Sequence, residues 1–365
     1  MKKLSLYIVS FVVTISLILT FSSCTSRDEK NNNFDLINYE NVDVNYNNTD
    51  DCSFWFEKGN LYYFKEDFIG KTLVCKNKYS EEKLFSISDL PNKNGIKHGD
   101  FSSVQVYGNF VYTLVYADDK AIFYEFDKIS KQIEEITRTD NNVCSWAVKK
   151  DVLIFTVVEK YIDETVPSSF LYICDLNSKK DLKISSDVID FGVVNNSIRF
   201  ITYKQDDLKQ QIFEYNLVDS VIKKISDINF YVNKDLEKSP VTCCDFDFTD
   251  DKIICYDSGA ARELIVFDVN TLKIKSYRCE GCNMYCYDNF VFITSGGSDD
   301  GEFVKRIKLT NKDYSDTFIG NSSEILFIVS ENQVITKSFD GDIYFVKINE
   351  SNSEEVLYNE LYKLN

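Results

Sequence analysis

The chain has 365 residues, 44% of them hydrophobic and 15% aromatic, which excludes a disordered polypeptide. Its formal charge of −17, from 58 acidic and 41 basic residues, repels phosphate backbones, and no basic patch offsets it, so nucleic acid is excluded as a partner. A single histidine, His98, excludes a histidine-rich metal site.

Residues 1–23 have three parts in a fixed order: Lys2 and Lys3, an uncharged apolar run over 4–21, then Ser22 and Ser23 before Cys24. A positive start, an apolar stretch and small residues at the cut are the marks of a secretory signal peptide. Small residues directly before a cysteine resemble the bacterial lipobox, although Phe21 stands where Leu is commoner. That resemblance implies cleavage before Cys24, lipidation of its thiol, and a chain held on the outer side of the cell membrane. The competing reading is an uncleaved apolar helix, since roughly 18 residues just span a bilayer. It also leaves the remainder outside the cytoplasm. Losing Lys2 and Lys3 takes the formal charge to about −19.

Residues 24–50 are Asn-rich, acidic and poor in apolar groups, and read as a lipidated cysteine followed by a flexible tether. About 26 such residues have a root-mean-square span on the order of 28 Å.

From residue 51 to 365 two phrases alternate. One is an apolar strand ending in a polar residue, then a turn, then a strand with Lys and Ile or Leu; its copies end at Lys76, Asp127, Asp175, Asn216, Asp268, Lys308 and Lys347. These lie 51, 48, 41, 52, 40 and 39 residues apart. The other phrase precedes each copy and is a polar turn opening a strand, as in Gly59-Asn60-Leu61-Tyr62 and Gly108-Asn109-Phe110-Val111. Gly, Asn and Asp tolerate the positive φ of tight hairpins. Each unit then holds four strands, which in the second unit cover 103–107, 110–116, 121–126 and 132–136. A period of 40–45 residues with several short strands per unit predicts an all-β chain, a β-propeller of seven four-stranded blades, with six or eight as alternatives. Continuous apolar runs such as Leu264-Ile265-Val266-Phe267 suit strands buried on both faces.

The lipobox together with this repeat texture resembles bacterial surface lipoproteins with TolB-like propellers, including uncharacterised families. The resemblance covers almost all of the mature chain through texture. It implies a fold and a location, and carries no catalytic residue across.

Ser298, within the glycine-rich stretch 296–301, superficially matches a hydrolase elbow, but that elbow needs a strand-to-helix turn in an α/β sheet, so a hairpin loop is expected. Asp245 and Asp247 lie two apart and share one face of a strand, an arrangement able to serve glycoside chemistry or hold a divalent cation. Eleven cysteines occur. Cys75, Cys174 and Cys255 fall at core positions of the repeat. Cys52, Cys144, Cys244 and Cys282 fall at the start of each unit's first strand, beside the central channel, with Cys243, Cys279 and Cys286 nearby. A thiolate metal site or redox pair there competes with ordinary structural disulfides.

The leading expectation is a non-enzymatic, lipid-anchored binding or scaffold domain that presents one propeller face to a protein or saccharide. It has no cofactor beyond the lipid on Cys24. The alternatives are a carbohydrate-active or other enzyme using Asp245 and Asp247, and a thiol redox or metal-handling protein using the cysteine ring.

Overall fold

The computed structural model describes residues 53–67, 70–77, 79–91, 99–161, 167–204, 209–228, 246–257, 263–278, 283–287, 289–294, 304–309, 314–318, 324–337, 343–348 and 356–362. They are nearly all β-strand; the one helical element among them is the short 3-10 turn Ile87–Asp89.

The first sheet runs β1 (Phe54–Glu57), β2 (Asn60–Asp67), β3 (Gly70–Lys76) and β4 (Glu81–Ser86). The second runs β5 (Gly99–Tyr107), β6 (Phe110–Ala117), β7 (Lys120–Asp127) and β8 (Ile133–Thr139). A seven-stranded sheet follows: β9 (Val143–Lys149), β10 (Val152–Tyr161), β11 (Pro167–Asp175), β12 (Lys180–Val194), β13 (Ser197–Lys204), β14 (Lys209–Asn216) and β15 (Ile222–Ile228). Three further four-stranded sheets complete the chain. They are β16 (Phe246–Phe248), β17 (Lys252–Asp257), β18 (Glu263–Asp268) and β19 (Lys273–Arg278); then β20 (Asn283–Tyr287), β21 (Phe290–Thr294), β22 (Val304–Leu309) and β23 (Tyr314–Phe318). The last holds β24 (Glu324–Ser330), β25 (Gln333–Lys337), β26 (Ile343–Ile348) and β27 (Val356–Tyr362). Every pairing is antiparallel between neighbours in sequence, so each sheet is a meander.

The seven-stranded sheet departs from the repeat for a local reason. β12 is 15 residues long. Its first part pairs with β11 from Lys180 to Ser185, its last part pairs with β13 from Asp190 to Val194, and Val188 between them pairs with both. Asp187, at φ 57°, bends it; the ladder with β11 shifts register across Asp187, between Ser185 and Val188, and the ladder with β13 shifts between Val188 and Asp190. One strand therefore closes one repeat and opens the next without a loop.

Second and third strands are buried on both faces. In β6 five consecutive residues, Val111 to Val115, are buried, and all five residues of β21 are. Fourth strands carry charge instead: β8 reads Ile-Glu-Glu-Ile-Thr-Arg-Thr and β15 Ile-Lys-Lys-Ile-Ser-Asp-Ile, which blunts their free edges against pairing with another chain.

The sheets pack through their broad faces. Phe85 and Phe101 join the first sheet to the second, and Phe123 meets Trp146 across the next boundary at 5.5 Å between ring centres. First strands lie side by side in the order β1, β5, β9, β12, β16, β20, β24, and β24 returns to β1. At that closing boundary Trp55 meets the ring of Phe327 edge-on at 5.5 Å. Between β12 and β16 no side chain intervenes on one side. A Cβ added to Gly192 would sit 2.5–2.6 Å from the Cβ, Cγ and Cδ2 of Phe248.

The first repeated phrase has a chemical basis. Asp127 and Asp268 end third strands, and each accepts, on its carboxylate, the backbone N–H two residues on, at 2.8 and 3.0 Å. Asp175 takes the N–H of Ser178 at 2.6 Å, and Asn216 and Asn77 do the same work with their amide oxygens. The turns close with Lys131, Lys179, Ser220 and Leu272 at positive φ. These hydrogen bonds hold the carboxyls of Asp127, Asp175 and Asp268 below the usual carboxylate range.

Candidate functional site

The first-to-second and third-to-fourth strand turns of the sheets lie at one end of the strands, here the turn end. Side chains tie it together across sheet boundaries. Asn195 Nδ2 donates to Asp250 Oδ1 at 2.9 Å, and Lys252 Nζ to Asn289 Oδ1 at 2.8 Å. Toward the outside, Lys131 Nζ meets Glu82 at 2.8 Å and Lys179 Nζ meets Glu134 at 2.5 Å. Arg199, on β13, donates through its guanidinium to the carbonyls of Thr249 and Asp250 at 2.7 and 2.8 Å, and to Glu214 Oε2 at 2.8 Å. Arg306, on β22, repeats the device against Glu331 O at 2.9 Å and Asn332 Oδ1.

Polar side chains of the first strands join their neighbours as well. Gln105 is 3% exposed; its Nε2 donates to Trp146 O at 2.8 Å and its Oε1 accepts from Val148 N at 3.0 Å, so one amide extends the ladder from β5 to β9. Trp146 answers by donating Nε1–H to Ser103 Oγ at 2.6 Å. Asp190 accepts from Phe191 N at 2.7 Å and Phe246 N at 3.3 Å. Asp247 accepts from Phe248 N at 3.0 Å and Cys286 N at 2.5 Å. The two Asp-Phe pairs are one motif: an aspartate clasps its own strand with one oxygen and the next sheet's first strand with the other.

Asp247, singled out in the sequence, thus sits in a backbone clasp between β16 and β20. Cys144 lies half-buried in β9, where Ser169 Oγ donates to its sulfur at 3.9 Å. Cys286 is buried on β20, three first strands from β9 in the cyclic order; burial, with the Asp247 carboxylate beside it, pushes its thiol well up. Cys174 and Cys255 are buried and Cys75 is half-buried, as core positions require. No disulfide joins any two of these five described cysteines. Among the described residues no group of three or more His, Cys, Asp and Glu could hold a metal ion. Cys24, Cys52, His98, Cys243, Cys244, Asp245, Cys279, Cys282, the 296–301 loop, the signal segment 1–23 and the tether 24–50 lie outside the described residues.

At the opposite, loop end an open depression of about 500 Å³ lies on the second sheet, between Gly99, Asp100, Tyr116, the turn from Ala117 to Lys120, and Asn142. Asp118 and Asp119 make that turn at φ 49° and 63°, which Asp tolerates better than most side chains. Tyr116 Oη donates to Val143 O at 2.8 Å and fixes the wall. Lys71 pairs with Asp100 at 2.9 Å and Lys120 with Asp140 at 3.2 Å at its margins. Such a surface accepts hydrogen bonds and suits an ammonium, guanidinium or polyhydroxyl group. Sequence reading missed it: Asp118-Asp119 is a plain turn dipeptide, and the depression exists only where β5, β6, β7 and the approach to β9 converge. The first-strand clasps were missed too, because Asp-Phe carries no mark of the strand opposite it.

No family model matches the chain, and no curated protein sequence does. Solved structures do. A post-proline cleaving enzyme from Rickettsia typhi is 13% identical over 88% of this chain and 55% of that one, at a TM-score of 0.54. This chain thus spans about half the length of that enzyme. Oligogalacturonate lyase from Vibrio parahaemolyticus is 13% identical over 84% of this chain and 90% of that one, also at 0.54. TolB from Acinetobacter baumannii is 12% identical over 71% of this chain and 63% of that one, at 0.41. Likeness at such identity concerns the fold alone, and it is the fold of β-propeller proteins.

Proposed function

We propose that this chain is a lipid-anchored binding or scaffold protein on the outer side of the cell membrane, with Cys24 as its anchor and residues 51–365 as a seven-bladed propeller. Seven blades follow from dividing the seven-stranded sheet at Asp187, so that β12 serves as the fourth strand of one blade and the first of the next. The cyclic order of the seven first strands supports that division.

One observation carries the functional reading: the inward polar side chains Gln105, Asp190 and Asp247 are engaged with backbone amides of neighbouring sheets. A group held in this way builds a rigid ring and is poorly placed for acid–base work. Recognition then falls to the loop end, where the acidic depression offers contacts to a protein or saccharide partner bearing amine, guanidinium or hydroxyl groups.

Cross-linking in intact cells with the full-length chain tests this. A defined partner should be captured by the parent chain and lost from the Asp118→Asn, Asp119→Asn variant, and Cys24→Ser should move the protein out of the membrane fraction. An empty capture, or one indifferent to the two aspartates, overturns the binding reading. Unchanged fractionation of Cys24→Ser overturns the anchor.

A further inference from the structure

At the turn end, three asparagines that stand just before the second strand of a repeat receive a cation from the preceding repeat. Asn196 Oδ1 accepts from Lys150 Nζ at 3.4 Å, Asn289 Oδ1 from Lys252 Nζ at 2.8 Å, and Asn332 Oδ1 from Arg306. The middle pair differs in what surrounds the amine. Lys252 Nζ also meets Asp251 Oδ2 at 2.6 Å, and its side chain is 14% exposed, the lowest of the ion-paired lysines among the described residues. Lys150 has no carboxylate at such a distance among the described residues. Arg306 carries a guanidinium, which does not give up its proton in a protein.

Amine, amide and carboxylate are held in place by the backbone around them. Asp251 O accepts from Val269 N and Asn289 O from Leu309 N, each at 2.8 Å, and Thr249 Oγ1 donates to Asp251 Oδ1 at 3.4 Å. A carbonyl bond is about 1.23 Å long, so the Asn289 amide carbon lies within about 4 Å of the lysine nitrogen. Groups aligned at such range react as though one were present at about 10⁵–10⁸ M. A carboxylate resting on the amine is a base for it, and a primary amine relieved of its proton is a nucleophile.

We propose that Lys252 and Asn289 become joined by an isopeptide bond, with Asp251 as proton carrier, tying the sheet of β16–β19 covalently to the sheet of β20–β23. The lysine nitrogen gives a proton to Asp251 and attacks the Asn289 amide carbon. A bond forms from Nζ to Cγ and the bond from Cγ to Nδ2 breaks. Two protons pass in all from Nζ to Nδ2, which leaves as ammonium, and Asp251 ends as it began. The step needs no oxidant and no cofactor. An ammonium beside a carboxylate is mostly charged, but each molecule reacts once and the released ammonia is lost by dilution. The neutral fraction of the amine therefore suffices.

The test reads the full chain, as purified from cells and again after prolonged incubation, by peptide mass spectrometry following reduction, thiol alkylation and trypsin. A joined Lys252 resists trypsin, so residues 239–262 should appear in one branched peptide with residues 279–305, lighter than the two together by one ammonia. Succinimide formation at an asparagine also sheds ammonia, so the branch decides and the mass alone does not. Lys252→Met and Asn289→Ala should each abolish the branched peptide. Asp251→Asn should slow its formation at least about 100-fold, and Asp251→Glu, which keeps the acid, should restore it. The peptides holding Lys150 and Asn196 should stay separate. A folded parent chain in which Lys252 remains cleavable and no branch forms on incubation overturns the proposal, whatever the variants do. So does a branch that forms as fast in the Asp251→Asn chain, or one that joins Lys252 to a residue other than Asn289.

Discussion

Gly192→Ala should be the most damaging small substitution in the described part of the chain. A methyl at this position would lie 2.5 Å from Phe248 Cδ2 and 2.6 Å from its Cβ and Cγ. Phe248 cannot swing away, because its Cβ is fixed to β16 and its ring is 2% exposed among Ile189, Ile201, Tyr203 and Ile253. Relief requires β12 and β16 to separate by about 1 Å, the shortfall from ordinary carbon–carbon contact. Overpacking of this kind costs about 1–3 kcal/mol. Separation also lengthens the bond from Phe246 N to Asp190 Oδ2, already 3.3 Å, and losing a buried hydrogen bond to a charged group adds about 1.5–3 kcal/mol. A total near 3–5 kcal/mol corresponds to a fall in Tm of roughly 5–8 °C in a domain of this size. Thermal unfolding followed by circular dichroism reads it directly. Phe248→Ala alone leaves a cavity and costs about 3–5 kcal/mol. In the Gly192→Ala background the new methyl partly fills that cavity, so the second substitution should cost at least about 1 kcal/mol less. A Gly192→Ala protein melting within about 2 °C of the parent, with additive behaviour in the cycle, would refute the packing argument.

Asp247→Asn keeps one acceptor oxygen and loses the charge, so it should cost about 1–2 kcal/mol; the accompanying loosening of β20 should speed alkylation of Cys286, which in the parent at pH 8 should react only on unfolding. Arg199→Met removes a guanidinium that holds two carbonyls and Glu214. The loss should be about 2–4 kcal/mol in chemical denaturation, below the full value for a buried pair because the Glu214 side chain is 29% exposed. An Arg199→Met chain as stable as the parent would remove this bridge from the account of blade docking. The turn carboxylates Asp127, Asp175 and Asp268 titrate lower folded than unfolded, so their contribution is complete above the unfolded value near about 4 and fades as pH falls through the lowered folded values. Replacing the three with Asn, which keeps the acceptor, should flatten the loss of stability between about pH 4 and pH 2; an unchanged acid limb counts against it.

Repeat period and strand content were legible because each unit spells out its turns chemically. An Asp or Asn that must accept an amide two or three residues on, followed by a residue at positive φ, is a local requirement written in adjacent letters. The second unit shows how far that reach extends. The expected strands 110–116 and 121–126 became Phe110–Ala117 and Lys120–Asp127, but the first strand opens at Gly99, four residues before the expected 103. Its added part, Gly99 to Ser102, pairs with β6 across a register shift between Phe101 and Ser103 that no periodicity announces. β12 was illegible for a similar reason. Nothing in the letters Ser185-Ser186-Asp187 marks a bend within one strand, which Asp187 supplies.

What stayed hidden is whatever depends on the neighbour across a sheet boundary, and this includes the first-strand clasps that bear on function. Asp190 and Asp247 meet strands 56 and 39 residues away in sequence. An isolated carboxylate pair and a clasp look identical in the linear chain, since both are acids on one face of a strand. The difference is whether the next sheet aims an N–H at the oxygen, and a closed cycle of sheets ensures that many do. Closing the cycle forces first strands together at their narrowest spacing, where buried amides at each boundary must be met by side chains or left unpaired. Aspartate, glutamine and arginine at these boundaries are therefore explained by closure before any chemistry is invoked. Residues free to serve a partner lie at the ends of the strands, where hairpin tips and loops have no neighbouring sheet to satisfy.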